Sequence, residues 1–365
     1  MKKVVSILGA RPQFIKAAVL SRIIRERKEF LEIIVHTGQH FDSNMSEVFF
    51  EEMDIPKPKY NLNINGMGHG AMTGRMLEQI EEVLLHEKPD LVVVYGDTNS
   101  TLAGALAAKK LGIKVAHVEA GLRSFDKRMP EEINRIVTDA LSDILLVSEP
   151  SGLNNLEHEG VPSEKIHFVG NIMIDSLKRM LPYADQRRTH ARYGLEAGQY
   201  AFLTMHRPSN VDDPNVLHRL LEQFDEISSD LPVLFAVHPR TRKKIKALGP
   251  GYQDRNVDFQ LVDPVDYLDA LCLQKNARVI LTDSGGIQEE STEFGVPCLT
   301  LRDNTERPIT VELGTSTLVG NDPAMIFETL DTVLSGKYKK SHPIPLWDGH
   351  TAERISSILV SHFIN

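Results

Sequence analysis

The chain has 365 residues, 41 Lys and Arg against 50 Asp and Glu, and a formal net charge of −9. That length is too great for one compact core, so two domains are expected, and 41% hydrophobic with 25% charged residues disfavours wholesale disorder. The acidic balance gives no general attraction to nucleic acid or to an anionic membrane, while a local basic pocket for a small anion stays allowed.

Val4–Leu8 reads as a first buried strand. Its apolar run is shorter than the roughly 7–15 residues of a signal peptide, and no run approaches the ~18 of a membrane span. A cytoplasmic protein is expected. The segment Gly9-Ala10-Arg11-Pro12-Gln13-Phe14-Ile15-Lys16 follows, with a glycine turn, an arginine and a helix start suited to an anion. Arg11 and Pro12 stand where a dinucleotide fingerprint needs close backbone approach, so no nicotinamide cofactor is expected. The helical stretch Phe14–Arg25 leads to a strand at Ile33–His36, and Thr73–His86 leads to one at Leu91–Tyr95.

After Tyr95 comes Gly96-Asp97-Thr98, where Asp97 or Thr98 suits the cap of a helix over Thr98–Leu111. The strand Val115–Val118 runs into Glu119, and a carboxylate beside a buried strand is costly unless it has a partner or a task. The helix Glu131–Leu141 places Glu131 and Arg135 four apart, the spacing of a helical ion pair. Asp97, Glu119 and Glu131 with Arg123 and Arg135, all near strand ends, form a constellation suited to proton transfer. Ile144–Val147 closes this first set of strands. Continuously apolar strands alternating with amphipathic stretches argue for a doubly wound parallel sheet.

The rhythm then restarts with strands at Ala201–Thr204, Val233–Val237, Phe259–Val262, Val279–Thr282 and Cys298–Leu301, and helices at Val216–Ile227, Val265–Leu273 and Gly286–Phe294. His206 and His238 each follow a strand. Thr282-Asp283-Ser284-Gly285-Gly286 ends a strand and opens a helix, where free N–H groups and the helix dipole favour phosphate. Gly285 and Gly286 would admit the ligand close to the main chain, and Glu290 would take a ribose diol. A glycine turn with Ser284 as cap is the structural alternative. Arg302 and Arg307 follow the last strand. Cys272 and Cys298 lie in apolar stretches without metal-type spacing and read as buried free thiols.

The expected architecture is α/β: two Rossmann-like doubly wound domains facing across a cleft. The expected domains are 1–170 with the acid and base residues, and 171–350 with the nucleotide site. Residues 351–365 form a helix packing back on the first domain.

Taken in order, GARPQFIK, TGQH, VYGDTNST, HVEAGLRS, MPEEINR, HRPSN, HPR, TDSGGIQEE and RDNTERP resemble the non-hydrolysing UDP-N-acetylglucosamine 2-epimerases across almost the whole chain. The resemblance implies the glycosyltransferase GT-B type of fold, a homodimer, a UDP-sugar substrate, no metal and no cofactor. It implies that Arg11, His206, Ser284, Gly285, Gly286 and Glu290 bind UDP, and that Asp97, Glu119 and Glu131 serve the chemistry. Lys16, Arg135, His206 and Arg307 would be charge partners around diphosphate and sugar. The implied reaction is anti elimination of UDP with loss of the C2 proton, then re-addition with the proton returned from the opposite face. Phe41 and Asp42 stand where many bacterial members carry Arg and Gln, a departure that argues against activation by substrate without deciding whether it is retained. The stretches GQHFDSNMSEVFFEEM and NLNINGMGHGAMTGRML look closer to the branch acting on UDP-2,3-diacetamido-2,3-dideoxyglucuronate, whose carboxylate Arg123, Lys127 or Arg128 would meet. A hydrolysing epimerase and a glycosyltransferase are the remaining enzymatic alternatives.

Overall fold

A computed structural model of the chain describes residues 1–39, 50, 53–249 and 258–364. It divides into two compact units, residues 1–176 with 345–365, and residues 177–344. The expected fold class holds: each unit is one parallel sheet with helices between its strands.

The first sheet comprises β1 (Lys2–Leu8), β2 (Phe30–His36), β3 (Tyr60–Asn61), β4 (Leu91–Tyr95), β5 (Lys114–Ala120), β6 (Ile144–Val147) and β7 (Ile166–Phe168). Their spatial order is β3-β2-β1-β4-β5-β6-β7. The short β3 and β7 were not expected from the sequence. Each is an edge strand without a fully buried residue, so it lacks the apolar run that marks the others. Leu91–Tyr95 is buried throughout, because helices cover both of its faces. Helix His69–Glu87 and helix Asn99–Lys110 pack side by side over this sheet, adding Met76, Ile80 and Ala103 to Val5, Ile7 and Val92. Helix Thr351–Ile364 packs against helix Arg11–Arg27, where Arg27 donates to the Ser356 (3.3 Å) and Ser357 (3.0 Å) hydroxyls.

The second sheet comprises β8 (Ala201–Thr204), β9 (Val233–Ala236), β10 (Phe259–Val262), β11 (Val279–Thr282), β12 (Cys298–Thr300) and β13 (Ser316–Leu318), in the order β10-β9-β8-β11-β12-β13. Apolar clusters lie on both of its faces, one around Leu203, Phe224 and Leu281, the other around Tyr200, Phe202 and Ile280. Cys272 and Cys298 are buried and unpaired.

In both sheets the strand order reverses once, between β1 and β4 and between β8 and β11. Such reversals leave a crevice beyond the carboxyl ends of the two strands, where ligands of open α/β sheets bind. Among the described residues no helix is long and apolar enough to cross a membrane.

Candidate active site

The residues after β1, β4 and β5 are gathered around one buried glutamine. Gln13 lies in the first turn of helix Arg11–Arg27. Its Oε1 accepts from the N–H groups of Gly9 (2.7 Å) and Ala10 (3.1 Å). Its Nε2 faces the Tyr95 carbonyl (2.6 Å) and the hydroxyls of Thr98 (3.0 Å) and Thr101 (2.9 Å). One side chain therefore fastens the β1 loop to the β4 loop across the switch point. Arg11, beside it, is half-buried and has no ion pair among the described residues.

Thr98 caps helix Asn99–Lys110, accepting from the Thr101 N–H (3.3 Å). Asp97 is thereby left for another role, and its carboxylate meets the Arg135 guanidinium. Arg135 does not pair with Glu131. It is buried on the inner face of helix Pro130–Leu141 and turns its other nitrogen to Glu132, which is also buried. Burial would push the Glu132 carboxyl up, but the Ser124 and Phe125 N–H groups and Arg135 hold it below its ordinary value. Glu131 stays half-buried, with no ion pair among the described residues. The four-residue spacing misled because the neighbouring Glu132 is the one that faces inward.

Glu119 and Lys16 form a buried ion pair. Lys16 is thus committed to a carboxylate of its own unit. Glu119 has φ +75°, at the point where the register of β5 against β6 shifts. A non-glycine residue in the left-handed region costs about 1–3 kcal/mol and persists only where its surroundings enforce it, a pattern concentrated at functional sites. Gly96, with φ +62°, lies beside the pair: a Cβ there would sit 3.4 Å from Glu119 Oε2 and 3.8 Å from Lys16 Nζ. Asp97, Glu119 and Lys16 thus belong to one cluster.

Of the cations expected to meet a sugar carboxylate, Arg123 is consumed by Asp139 (2.7 Å) and by a two-point contact with Glu159 (2.8 and 2.7 Å). Arg128 pairs with Asp126. Lys127 has no ion pair among the described residues. Phe41 and Asp42 lie outside the described residues.

In the second unit the fastening group is an anion. Asp283 is fully buried directly after β11 and accepts from the N–H groups of His206 (2.9 Å) and Arg207 (2.7 Å) and from Asn210 Nδ2 (3.1 Å). His206 Nδ1 lies 3.2 Å from its Oδ1. Desolvation would raise the Asp283 carboxyl, but His206, the Arg207 N–H and Asn210 hold it below its ordinary value. The His206 side chain keeps 38% of its surface exposed, with Nε2 on the ring edge away from Asp283. The His238 ring lies 5.3 Å from it, centroid to centroid, and its Nδ1 accepts from the Arg240 N–H (3.2 Å).

Ser284 precedes helix Gly285–Phe294 but makes no side-chain cap, so the capping alternative fails. The first N–H groups of that helix keep their capacity to donate. The two glycines have different reasons. At Gly285 a Cβ would fall 2.5 Å from Arg307 Nη1 and 2.8 Å from Glu306 Oε1, so this glycine makes room for the arginine and not for a ligand. At Gly286 nothing lies within 4 Å of a Cβ, so that face is open. Arg307 is brought to the helix start between Glu306 (2.5 Å) and Glu289 (2.8 Å). Glu290 is buried further along the helix, its Oε2 accepting from Gln274 Nε2 (2.7 Å).

Gln13, Asp283, Glu132 and Gln274 were not singled out from the sequence. The available signal is a polar residue on the core side of an amphipathic helix or directly after a buried strand, to which the sequence reading assigns no role.

The first unit thus offers carboxylates able to exchange protons, and the second offers donors able to hold an anion. A sequence model of the family described as UDP-N-acetylglucosamine 2-epimerase matches residues 22–360. The UDP-N-acetylglucosamine 2-epimerase of Methanococcus maripaludis is 44% identical over 365 residues, covering 98% of each chain. The UDP-2,3-diacetamido-2,3-dideoxy-D-glucuronate 2-epimerase of Pseudomonas aeruginosa is 49% identical, covering 98% of this chain and 99% of that one. The crystal structure of the Methanocaldococcus jannaschii UDP-GlcNAc 2-epimerase with UDP-GlcNAc and UDP superposes with a TM-score of 0.91 at 45% identity, over 98% of this chain and 99% of that one.

Proposed function

Because the chain belongs to the UDP-N-acetylglucosamine 2-epimerase family, we propose that it interconverts UDP-N-acetylglucosamine and UDP-N-acetylmannosamine by elimination and re-addition of UDP. The observation that carries this reading is the uncapped start of helix Gly285–Phe294, with Gly286 open, Arg307 alongside and a buried Glu290 further in. Uncapped N–H groups and the helix dipole hold a diphosphate, and Glu290 accepts from the ribose hydroxyls. His206, in the same unit, adds a donor as the C1–O bond breaks and the leaving diphosphate gains its charge.

The C2–H is a weak acid, so its removal gains from concurrent departure of UDP. One carboxylate takes the C2 proton, the C1–O electron pair leaves with UDP, and a 2-acetamidoglucal remains. UDP then attacks C1 while a carboxyl group on the opposite face delivers a proton to C2. Asp97 and Glu131 are assigned these transfers, and the Glu119–Lys16 pair supports them. Asp97 is partnered by Arg135, whereas Glu131 has no ion pair among the described residues. Two carboxyl groups in unlike surroundings are what a step needing one base and one acid requires.

The N-acetylglucosamine nucleotide is favoured over the diacetamido-uronate because Arg123 and Arg128 already have carboxylate partners, leaving only the exposed Lys127 of the three cations expected to meet a uronate. The 49% identity to the Pseudomonas aeruginosa enzyme keeps the uronate as the second reading. Nuclear magnetic resonance in D₂O, with each nucleotide sugar in turn, tests both the substrate and the route. The expected result is deuterium at C2 of the epimerised product of the N-acetylglucosamine nucleotide; epimerised product without deuterium overturns the elimination. A homodimer also belongs to this reading, supported by Ile133 and Val137, which lie exposed one turn apart on helix Pro130–Leu141. Sedimentation at the mass of a single chain would overturn it.

A further inference from the structure

We propose that His117 is a buried imidazolium, protonated on both ring nitrogens, and that it is the positioning residue for Asp97 and Glu119. The positioning role rests on the reading that these two carboxylates serve the reaction; the protonation state does not.

His117 is fully buried in the middle of β5, between Ala116 and Val118, in a strand that is otherwise apolar from Val115 to Val118. Both of its ring nitrogens have a partner at 2.7 Å: Nδ1 faces Asp139 Oδ1 and Nε2 faces the Gly96 carbonyl oxygen. A carbonyl oxygen only accepts. The Asp139 carboxylate is also an acceptor, since its other oxygen receives the Gly121 N–H (3.0 Å) and Arg123 Nη1 (2.7 Å). A neutral imidazole has one N–H and one lone pair, so one of the two contacts would set lone pair against lone pair. Only the doubly protonated ring satisfies both. A ring flip does not escape this, because it would replace two hydrogen-bonding nitrogens by carbons.

The charge is compensated along a short chain. His117 meets Asp139, Asp139 meets Arg123, and Arg123 meets Glu159, so two cations alternate with two anions. Buried charges persist when paired and hydrogen-bonded in this way. Burial pushes the Asp139 carboxyl up, yet His117 and Arg123 hold it below its ordinary value, consistent with a permanent acceptor. The remaining charged groups around the ring are the Glu119–Lys16 pair beside Gly96, and Arg135 with Glu132 on the Asp139 helix.

Two catalytic loops hang on this chain. The Gly96 carbonyl belongs to the peptide that carries Asp97, so the imidazolium fixes the point from which that carboxylate projects. Asp139 binds His117 on one side of Glu119 and the Gly121 N–H on the other. The left-handed kink at Glu119 is thereby clasped at both ends by one carboxylate, which supplies the enforcement that its φ of +75° needs. Displacement of a reacting group by about 1 Å is enough to cost about 10²-fold in rate.

The test uses the full chain labelled with ¹⁵N at histidine, its His117 signals identified by their loss in His117→Gln. Long-range proton–nitrogen spectra at pH 7.5 should show both His117 nitrogens protonated. A nitrogen of His117 with the shift of an unprotonated imidazole at pH 7.5 overturns the proposal. Asp139→Asn should release that second proton and lower kcat about 10²-fold with KM within a few-fold, as should His117→Gln. Wild-type kcat in either variant overturns the positioning role. The rise in Tm with UDP shows whether each variant is folded, and where His117→Gln is not, the wild-type spectrum and Asp139→Asn decide, the signal then being assigned by His117→Asn. If Asp97→Asn and Glu119→Gln kept full activity, the chemical reading would fall while the nitrogen shifts still reported on the imidazolium.

Discussion

The two units close the same topological switch point with different chemistry. In the first, a neutral amide does it: Gln13 joins the β1 loop to the β4 loop through five contacts to backbone and hydroxyl groups. In the second, the buried Asp283 joins the β8 and β11 loops and lies against His206. A neutral fastening leaves the local charges of the first unit, Asp97 and Glu119, to be set by their own partners, Arg135 and Lys16. An anionic fastening places a fixed negative charge behind a histidine whose other ring edge stays open. On the proposed reading, the same fold position serves proton exchange in one unit and anion binding in the other.

The largest expected effect breaks the first half of that comparison. Asp97→Asn and Glu131→Gln should each lower kcat by roughly 10²-fold or more, the scale of a lost acid–base group. UDP should still raise Tm in both, because ligand stabilisation depends on the nucleotide site alone. Turnover within a few-fold of wild type in either variant would remove that residue from the proton transfers.

Next comes the contrast between adjacent glycines. Gly286→Ala should leave the unliganded protein as stable or slightly more so, since alanine is the better helix residue by about 1 kcal/mol. UDP affinity should drop by about tenfold or more, because the new methyl occupies the open face. Gly285→Ala should lower Tm even without ligand, as its Cβ collides with an Arg307 held between two carboxylates. Equal UDP affinity in Gly286→Ala would move the nucleotide away from this helix start.

These contrasts also mark what the sequence made legible. Leu91–Tyr95, Ala201–Thr204 and Val279–Thr282 could be placed to the residue because strands buried on both faces are apolar without interruption. The helices Pro239–Leu248 and Pro323–Leu334 were missed: the first is too basic to show a core stripe, the second was overshadowed by the strand pattern before it. Residues after strands were found because topology alone points to them. Their partners were not, because partnership depends on distances between loops far apart in sequence. Lys16 and Glu119 are 103 residues apart, and Asp283 lies 77 from His206. The one pair inferred from local spacing, Glu131 with Arg135, does not form.

The smallest effect is on stability, and it sharpens the comparison through acid. The first unit half-buries His36, whose ring lies 4.9 Å from Phe14 and whose pKa falls from 6.5 to about 4 because loss of solvent disfavours the charged form. The unfolded chain then takes up a proton that the folded one refuses. Stability is fully present above pH 6.5 and declines as pH falls from there toward 4. Asp283 acts in the opposite range. With its carboxyl below 3.8, its contribution is complete above the unfolded carboxylate value and is lost only as pH falls through the still lower folded value. Tm should therefore decline by a few degrees between pH 6.5 and 4, and His36→Leu should flatten that decline. Asp283→Asn should leave its slope unchanged while lowering Tm at neutral pH, where the carboxylate no longer holds the His206 and Arg207 N–H groups. An unaltered slope in His36→Leu would assign the acid sensitivity to another group.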